Sequence, residues 1–148
     1  MSATRDRWKE MEKRYSQSNI HSVLGLTLRV LNEGEVDISY DGRKEASNRR
    51  GNPAGGTIAQ MVDSAVMQSV GTMVAESDSL TTLELKVNYL RAAEPGATLL
   101  ARGRVEHCGK STAVGTARVE DSLHRAVAVA IVTVSIRRGS VGTFVGDK

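Results

Sequence analysis

The sequence predicts one α+β domain in which a long helix packs against a curved antiparallel sheet, with a short helix at the N-terminus. Residues 56–75 place apolar side chains at almost every third or fourth position over about five turns, which indicates a largely buried helix. Before and after this segment, short runs alternate apolar and polar residues between turn residues, which is typical of strands. The chain has 148 residues, a length suited to one domain with its own core.

Composition narrows the class of protein. Hydrophobic residues make up 40% of the chain and aromatic residues only 3%, so the core must consist mainly of aliphatic side chains. A single cysteine, Cys108, excludes an intrachain disulfide and favours a reducing compartment. Residues 1–16 lack the apolar run of a signal peptide, and no segment reaches the ~18 apolar residues of a membrane span. We therefore expect a cytoplasmic protein without a membrane partner.

Three segments precede the long helix. Residues 5–17 set an apolar stripe among charged residues and predict a short amphipathic helix. Residues 24–31 and 35–40 flank a glycine-containing turn and predict a β-hairpin. Residues 41–53 form a polar loop of about a dozen residues, a length that is more often functional than not in a compact domain.

Four strands are expected after the long helix, over residues 82–90, 98–107, 113–120 and 126–136. Alternation in the first of them predicts that four side chains share one face: Leu83, Leu85, Val87 and Tyr89. The last run is apolar on both faces, as expected of a central strand. Small residues in the last three strands leave room for the helix to lie on the sheet.

These elements predict a helical segment over residues 1–22, the main domain over 23–137 and a flexible tail over 138–148. A single helix leaves one edge of the sheet open and much apolar surface poorly covered. We therefore expect at least a homodimer, in which pairing protects that edge.

Two glycines, Gly55 and Gly56, begin the long helix. The first turn of a helix has unpaired N–H groups, and its dipole favours negative charge, so this turn could hold a developing oxyanion. The same glycines could instead serve only close packing between helix and sheet. Asp63 lies farther along the helix, beside the apolar stripe, and is either a solvated surface group or, if partly buried, a general base.

Helix geometry relates these two candidates. Gly55 and Asp63 are eight residues apart, so their backbones lie about 12 Å apart along the axis. One carboxylate cannot reach a carbonyl that is held at the Gly55 amide of its own chain. If both groups act on one substrate, they must come from different subunits.

A family resemblance adds to this interpretation. Residues 48–56 read Asn-Arg-Arg-Gly-Asn-Pro-Ala-Gly-Gly, and Asp63 follows seven residues after the second glycine. Together with Leu-Glu-Leu-Lys-Val-Asn-Tyr-Leu-Arg at 83–91 and Pro-Gly at 95–96, this pattern resembles the hotdog-fold thioesterases of the phenylacetate-pathway (PaaI-like) family. The resemblance covers residues 48–136. It implies a hotdog fold and hydrolysis of an acyl- or aryl-acyl-CoA thioester to the free acid and coenzyme A.

The resemblance also implies roles for individual residues. The Gly55 amide would polarise the thioester carbonyl, assisted by Asn48. Asp63 of the partner subunit would be the nucleophile or the general base, and Thr82 would help to hold the attacking water. No cofactor or metal is expected, since coenzyme A enters as part of the substrate.

The coenzyme A nucleotide would lie along the dimer interface, where Arg91, Lys110 and Ser111 are candidate contacts. The expected assembly is a homodimer, further associated as a dimer of dimers. Ala54 departs from the family pattern, which has histidine at this position. This departure leaves a second function open, in which the protein binds acyl-CoA or an acyl carrier without catalysis.

Other chemistry fits the sequence less well. Residues 109–112 resemble a phosphate loop but lie between two strands rather than before a helix. The three histidines lack metal-ligand spacing. The loop over residues 41–53 is rich in arginine and lysine, but no aromatic residue between positions 40 and 89 could stack on a base. We therefore expect no nucleic-acid partner.

Overall fold

The computed structural model describes residues 2–140 and consists of a six-stranded antiparallel sheet with a long helix on one face. Its elements are α1 (Ala3–Gln17), α2 (Asn19–Leu24), β1 (Leu26–Asn32), β2 (Glu35–Tyr40), a 3-10 helix (Lys44–Ala46), α3 (Gly55–Gly71), β3 (Ser79–Tyr89), β4 (Leu99–Cys108), β5 (Thr112–Asp121) and β6 (Ala126–Arg137). The predicted α+β class is confirmed. Most of the predicted C-terminal tail, residues 141–148, lies outside the described residues.

Helix α1 covers one edge of the sheet and one end of α3, and its prediction is confirmed. The Arg7 guanidinium donates to the carbonyl oxygens of Gly71 and Val74, at 3.0 and 2.6 Å. A cation at this position satisfies free carbonyls and complements the negative end of the helix dipole. The Glu12 carboxylate accepts a hydrogen bond of 2.8 Å from the Val30 N–H in β1. The edge strand β1 is therefore closed by a helix of the same chain.

Helix α3 is the predicted long helix, but it ends at Gly71 rather than at residue 75. Its end is tied to the β1–β2 turn through Thr72, whose hydroxyl accepts a hydrogen bond of 2.7 Å from the Gly34 N–H. The same hydroxyl donates to the Ser69 carbonyl, also at 2.7 Å. The helix therefore ends at the hydrogen bonds of a polar side chain, which the spacing of apolar residues in the sequence could not indicate. The apolar side chains buried on α3 are Ile58, Met61, Val62, Ala65, Val66 and Val70.

The strands occur in the order β1-β2-β4-β5-β6-β3, and all neighbours are antiparallel. The predicted hairpin and the interior position of β6 are confirmed. Consecutive strands β3 and β4 are not neighbours, and their connection binds the loop before α3. Asn52 Nδ2 donates to the Ala93 carbonyl at 2.6 Å, and the Gly96 N–H donates to the Gly51 carbonyl at 3.2 Å. The chain thereby passes the start of α3 before β4 pairs with β2.

Strand β3 contains a β-bulge that the alternation of its sequence does not indicate. Its register against β6 shifts after Thr82, so Leu83 is an extra residue without a partner. Thr82 lies opposite Val134 and Tyr89 lies opposite Ala128, and both partners face the helix side of the sheet. Thr82 therefore shares the helix face with Leu85, Val87 and Tyr89, which the predicted alternation does not include, and Leu83 is the unpaired residue of the bulge.

Two glycines of the sheet let α3 approach it closely. A Cβ atom at Gly103 in β4 would overlap the carbonyl group of Ala65 on the helix. One at Gly115 in β5 would lie 2.6 Å from Cγ1 of Val66. The prediction that small residues of the sheet leave room for the helix is confirmed. At Gly103 the backbone of α3 itself occupies that room.

Replacement of Gly103 by alanine should therefore destabilise the protein by about 2–3 kcal/mol, because the added methyl group meets backbone that cannot rotate away. Urea unfolding at equal protein concentration measures this change. Gly71→Ala is a matched control on α3, since its methyl group would meet only the flexible Cε end of Met11 at 3.3 Å. The control should stay within about 1 kcal/mol of the wild type. Equal effects of the two substitutions would contradict the contact at Gly103.

Candidate functional site

Asp63 lies half-buried on α3, and one of its carboxylate oxygens is held by β3. Thr82 Oγ1 donates a hydrogen bond of 2.6 Å to Asp63 Oδ1. Thr82 reaches the helix because the bulge at Leu83 turns its side chain to that face. Within residues 2–140 no other group donates to Asp63, so Oδ2 remains available. The structure thus brings together Asp63 and Thr82, the two residues that the resemblance assigns to activation of the attacking water.

The first turn of α3 presents free backbone donors. The Ala54 N–H is bound by the Ala46 carbonyl at 3.1 Å, but neither Gly55 nor Gly56 has an acceptor for its N–H in the described part of the chain. Ala54 is extended, with φ −66° and ψ 144°, and both glycines are exposed. Two N–H groups at the positive end of the helix dipole therefore face solvent and can bind a developing negative charge.

Asn48 lies beside this turn with its amide oxygen already occupied. Asn48 Oδ1 accepts hydrogen bonds from the backbone N–H groups of Arg50 and Asn52, at 2.9 and 3.2 Å. Because both partners are donors, the amide nitrogen is the group left free, and it has no acceptor among residues 2–140. Asn48 and Gly55 line the same cavity of about 420 Å³. The structure therefore places a third free N–H donor near the helix start.

Three further residues line this cavity: Arg50, Tyr89 and Arg91. Arg91 is one of the three coenzyme A contacts that the resemblance implies. Sequence reasoning considered Arg50 only as part of the basic loop and Tyr89 only as an apolar side chain of β3. The signal for Tyr89 was its position in the segment 83–91, which carries part of the family resemblance. Its hydroxyl donates a hydrogen bond of 2.7 Å to the Gly55 carbonyl.

Lys110 and Ser111 lie in the β4–β5 turn, at the other end of the sheet from Arg91. The Ser111 carbonyl accepts from the Ile136 N–H at 2.8 Å, and the Lys110 carbonyl accepts from Arg138 Nε at 3.0 Å. Ile136 pairs with the start of β3, whereas Arg91 follows the end of that strand. One chain therefore does not bring the three predicted coenzyme A contacts together.

Asp63 is likewise absent from the lining of the cavity that contains Gly55. Both residues belong to the same continuous helix, and eight residues of helix separate them by about 12 Å. The two chemical groups thus occupy separate places on the surface of one chain.

A larger cavity, of about 540 Å³, contains none of the candidate residues. Charged side chains in its lining bind each other. The guanidinium of Arg43 binds the Asp41 carboxylate, and this interaction lowers the pKa of that carboxyl group. The Tyr40 hydroxyl donates to the Arg43 carbonyl at 2.8 Å. These contacts hold the start of the loop after β2.

Residues 2–140 contain no group of three or more histidine, cysteine, aspartate or glutamate side chains placed to hold a metal ion. No helix among them has both the length and the hydropathy needed to cross a membrane.

Solved structures show the same fold. A thioesterase from Haemophilus influenzae has a TM-score of 0.82 at 15% identity, covering 93% of this chain and 94% of its own. The PaaI protein of the Escherichia coli phenylacetic acid degradation operon has a TM-score of 0.81 at 19% identity, covering 94% and 99%. A mutant thioesterase from Pseudomonas aeruginosa has a TM-score of 0.79 at 20% identity, covering 86% and 91%. At such low identities these similarities concern the fold alone.

Among proteins of curated function, none matches the chain significantly. Residues 51–128 match the thioesterase superfamily, which is more than half of the 148 residues. The matched range begins in the loop before α3 and ends in β6, so it includes the helix start, Asp63 and Thr82. On this match, and with a helix packed on a six-stranded antiparallel sheet, the chain belongs to the thioesterase superfamily and has the hotdog fold.

Proposed function

We propose that this protein is an acyl-CoA thioesterase of the PaaI-like type, which hydrolyses an acyl- or aryl-acyl-CoA to the free acid and coenzyme A. The observation that carries the proposal is the pair of groups on α3: the Asp63 carboxylate bound by Thr82, and the free amides of Gly55 and Gly56. A base for water and a donor for the oxyanion are the two groups that thioester hydrolysis requires. Membership of the thioesterase superfamily supports the same reaction.

The thioester carbonyl binds at the helix start in this mechanism. Its oxygen accepts hydrogen bonds from the Gly55 N–H and from Asn48 Nδ2, which line one cavity. Negative charge grows on this oxygen as the carbonyl carbon becomes tetrahedral, and the helix dipole favours that charge. Loss of a single donor at such a site typically raises the barrier by roughly 3 kcal/mol.

Asp63 acts on the same carbonyl carbon from the partner subunit. As a general base, it takes a proton from water while the water oxygen bonds to the carbon; as a nucleophile, it forms an acyl-enzyme that water then hydrolyses. In either case the carbon–sulfur bond breaks and coenzyme A leaves as the thiol. Thr82 holds Oδ1 of Asp63 and leaves Oδ2 for the reaction.

A homodimer through β3 would join the two halves of the site. Strand β3 is the open edge of the sheet, whereas α1 closes the opposite edge. Three apolar or aromatic side chains of β3 are 60%, 37% and 53% exposed, respectively Leu83, Leu85 and Tyr89. Antiparallel pairing of β3 with its copy would extend the sheet and cover this surface. It would also place the Thr82 end of one strand beside the Tyr89 end of the other.

This arrangement also accounts for the predicted contacts with coenzyme A. Arg91 of one subunit would approach Lys110 and Ser111 of the other, because these residues lie at opposite ends of one sheet. The substrate phosphates would then meet positive charge from both chains. The reaction itself needs no cofactor, since coenzyme A enters as part of the substrate. A dimer of dimers remains the expected larger assembly.

Ala54 favours one alternative, a protein that binds acyl-CoA or an acyl carrier without hydrolysing it. Histidine is the residue expected at this position from the family pattern, and alanine offers no group to contact the thioester. The two functions differ in turnover and share ligand binding, so kinetics separates them.

Wild-type protein should therefore release thiol over many turnovers from at least one member of a panel of acyl- and aryl-acyl-CoA thioesters. Asp63→Asn should lower kcat by about 100-fold or more, because the amide cannot accept a proton or attack a carbonyl. Glu33→Gln makes the same chemical change at an exposed position of the β1–β2 turn, away from β3, and should leave kcat within about twofold. Saturable binding without turnover would favour the alternative function, and an unchanged kcat in Asp63→Asn would remove Asp63 from the mechanism.

Mixed dimers test whether the site is shared between chains. Gly55→Pro removes the amide donor at a first helical position where proline is tolerated, and the extended Ala54 is compatible with a following proline. Asp63→Ala and Gly55→Pro chains should each be nearly inactive. After subunit exchange at equal amounts, half of the dimers contain one intact site, so activity should return to about one quarter of the wild-type value.

No recovery in this experiment would mean that both groups act within one chain. Gly55→Ala provides the comparison for Gly55→Pro, because it keeps the N–H and its methyl group would approach Tyr89 no closer than 3.5 Å. Light scattering of the wild type should give a mass of at least two chains, and a monomer would contradict the shared site.

The hydrogen bond to Asp63 should also be measurable in catalysis. Thr82→Val preserves the shape of the side chain but removes the donor, which should lower kcat by about tenfold through loss of a hydrogen bond to a charged group. Thr27→Val, the same change at an exposed residue of β1 on the opposite edge of the sheet, should leave kcat unaltered. Equal rates in the two variants would show that Thr82 does not position the carboxylate.

A further inference from the structure

Tyr89 makes a specific contact with the first turn of α3. Its hydroxyl donates a hydrogen bond of 2.7 Å to the carbonyl oxygen of Gly55. Its ring lies against the same glycine, since a Cβ atom on Gly55 would meet Oη, Cζ and Cε1 of Tyr89 at 3.5, 3.6 and 3.7 Å. About half of the Tyr89 surface is nevertheless exposed. Burial of the ring is incomplete, so the hydroxyl contact contributes to holding the side chain in this position.

The contacted carbonyl belongs to the peptide group that also contains the Gly56 N–H. A peptide group is planar, so a hydrogen bond to its oxygen orients its N–H as well. The same bond polarises the peptide and makes the N–H a stronger donor. The Gly56 N–H has no acceptor among residues 2–140 and lies next to the Gly55 N–H. Tyr89 therefore acts on a backbone donor that is free to bind substrate.

Apart from Tyr89, only backbone hydrogen bonding restrains this peptide within residues 2–140, because its carbonyl also accepts a helical hydrogen bond from the Ala59 N–H. Gly55 and Gly56 have no side chains to pack, and the backbone of glycine is the most flexible of all residues. A Cβ atom on Gly56 would find no other atom within 4 Å, so the outer side of the turn is open. The hydrogen bond from Tyr89 supplies a restraint that the two glycines cannot supply themselves.

The bulge in β3 is what brings Tyr89 to this position together with Thr82. The two residues are seven apart, and in a regular strand an odd separation places side chains on opposite faces. The extra residue Leu83 shifts the alternation, so both hydroxyl groups point to α3. Thr82 binds the carboxylate of Asp63 and Tyr89 binds the carbonyl of Gly55. One strand thus contacts both chemical groups of the helix.

We propose that Tyr89 is a positioning residue of the oxyanion site, which holds the Gly55–Gly56 peptide so that both amides point at the thioester oxygen. The inference rests on the proposed thioesterase function and adds the Gly56 N–H as a second backbone donor. Tyr89 acts through the peptide and does not itself touch the reacting atoms.

Tyr89→Phe tests this role, because it removes the hydroxyl and retains the ring. It should lower kcat by about tenfold and change KM by less than about twofold, since the donors act mainly on the charge of the transition state. Tyr40→Phe is the matched control, because the Tyr40 hydroxyl also donates to a backbone carbonyl, that of Arg43 at 2.8 Å, and not to the Gly55–Gly56 peptide. The kcat of Tyr40→Phe should stay within about twofold of the wild type. Both variants are compared at concentrations where light scattering gives the mass of the wild-type assembly.

A second measurement uses the protein without substrate. In ¹⁵N-glycine-labelled protein, Tyr89→Phe should shift the Gly56 amide resonance and accelerate its hydrogen exchange, whereas Tyr40→Phe should do neither. An unchanged kcat in Tyr89→Phe, or an unchanged Gly56 amide, would overturn the proposal. If the wild type hydrolyses no thioester, the proposed function fails, and the Gly56 amide still decides whether Tyr89 holds the turn.

Discussion

Helix α3 lies directly on the sheet because β4 has no side chain at the point of contact. At Gly103 the carbonyl group of Ala65 fills the space that a Cβ atom would need, and at Gly115 the side chain of Val66 does so. This contact sets the distance between helix and sheet along the whole of α3. Asp63 and the Gly55 and Gly56 amides belong to that helix, Thr82 and Tyr89 reach it from β3, and Asn48 lies in the loop that leads into it.

A straight helix also sets the distance between the two chemical groups. Gly55 and Asp63 remain about 12 Å apart whatever the loops around them do, because eight residues of hydrogen-bonded helix lie between them. Strand β3 follows the same helix and contacts it near both residues, through the hydroxyls of Thr82 and Tyr89. The proposed site therefore has its two halves on one rigid frame and needs a second copy of that frame to bring them together.

The two edges of the sheet differ for a physical reason. At β1, the Glu12 carboxylate of α1 accepts a hydrogen bond from the Val30 N–H, which would otherwise be free. Tyr15, also on α1, is buried. Burial raises the pKa of the Tyr15 phenol, and its ring stacks on that of His21 with centroids 3.7 Å apart. At β3 no element of residues 2–140 covers the edge, and apolar side chains remain exposed there. The open edge is the one that contacts the candidate catalytic groups.

Local patterns in the sequence were sufficient for α1, α3, the six strands and the separation of Gly55 from Asp63, but they did not predict α2, and Leu24, expected in a strand, lies in that helix. Apolar spacing is a short-range signal, and the rise of a helix is the same in every protein. Family resemblance selected Thr82 as a residue that would help to hold the attacking water, and in the structure its hydroxyl donates to Asp63. The end of α3 was missed because Thr72, a polar residue, bonds to the distant Gly34.

Strand order, the bulge at Leu83 and the contact of Tyr89 with Gly55 depend on residues far apart in the chain. Strands β3 and β4 follow each other in the chain, yet β4 pairs with β2 and β3 lies at the edge, while their connection is hydrogen-bonded to the loop before α3. A bulge is a mismatch between two strands, so neither strand encodes it alone. The alternating sequence of β3 specified its apolar residues, but only pairing with β6 determined which of its side chains face the helix.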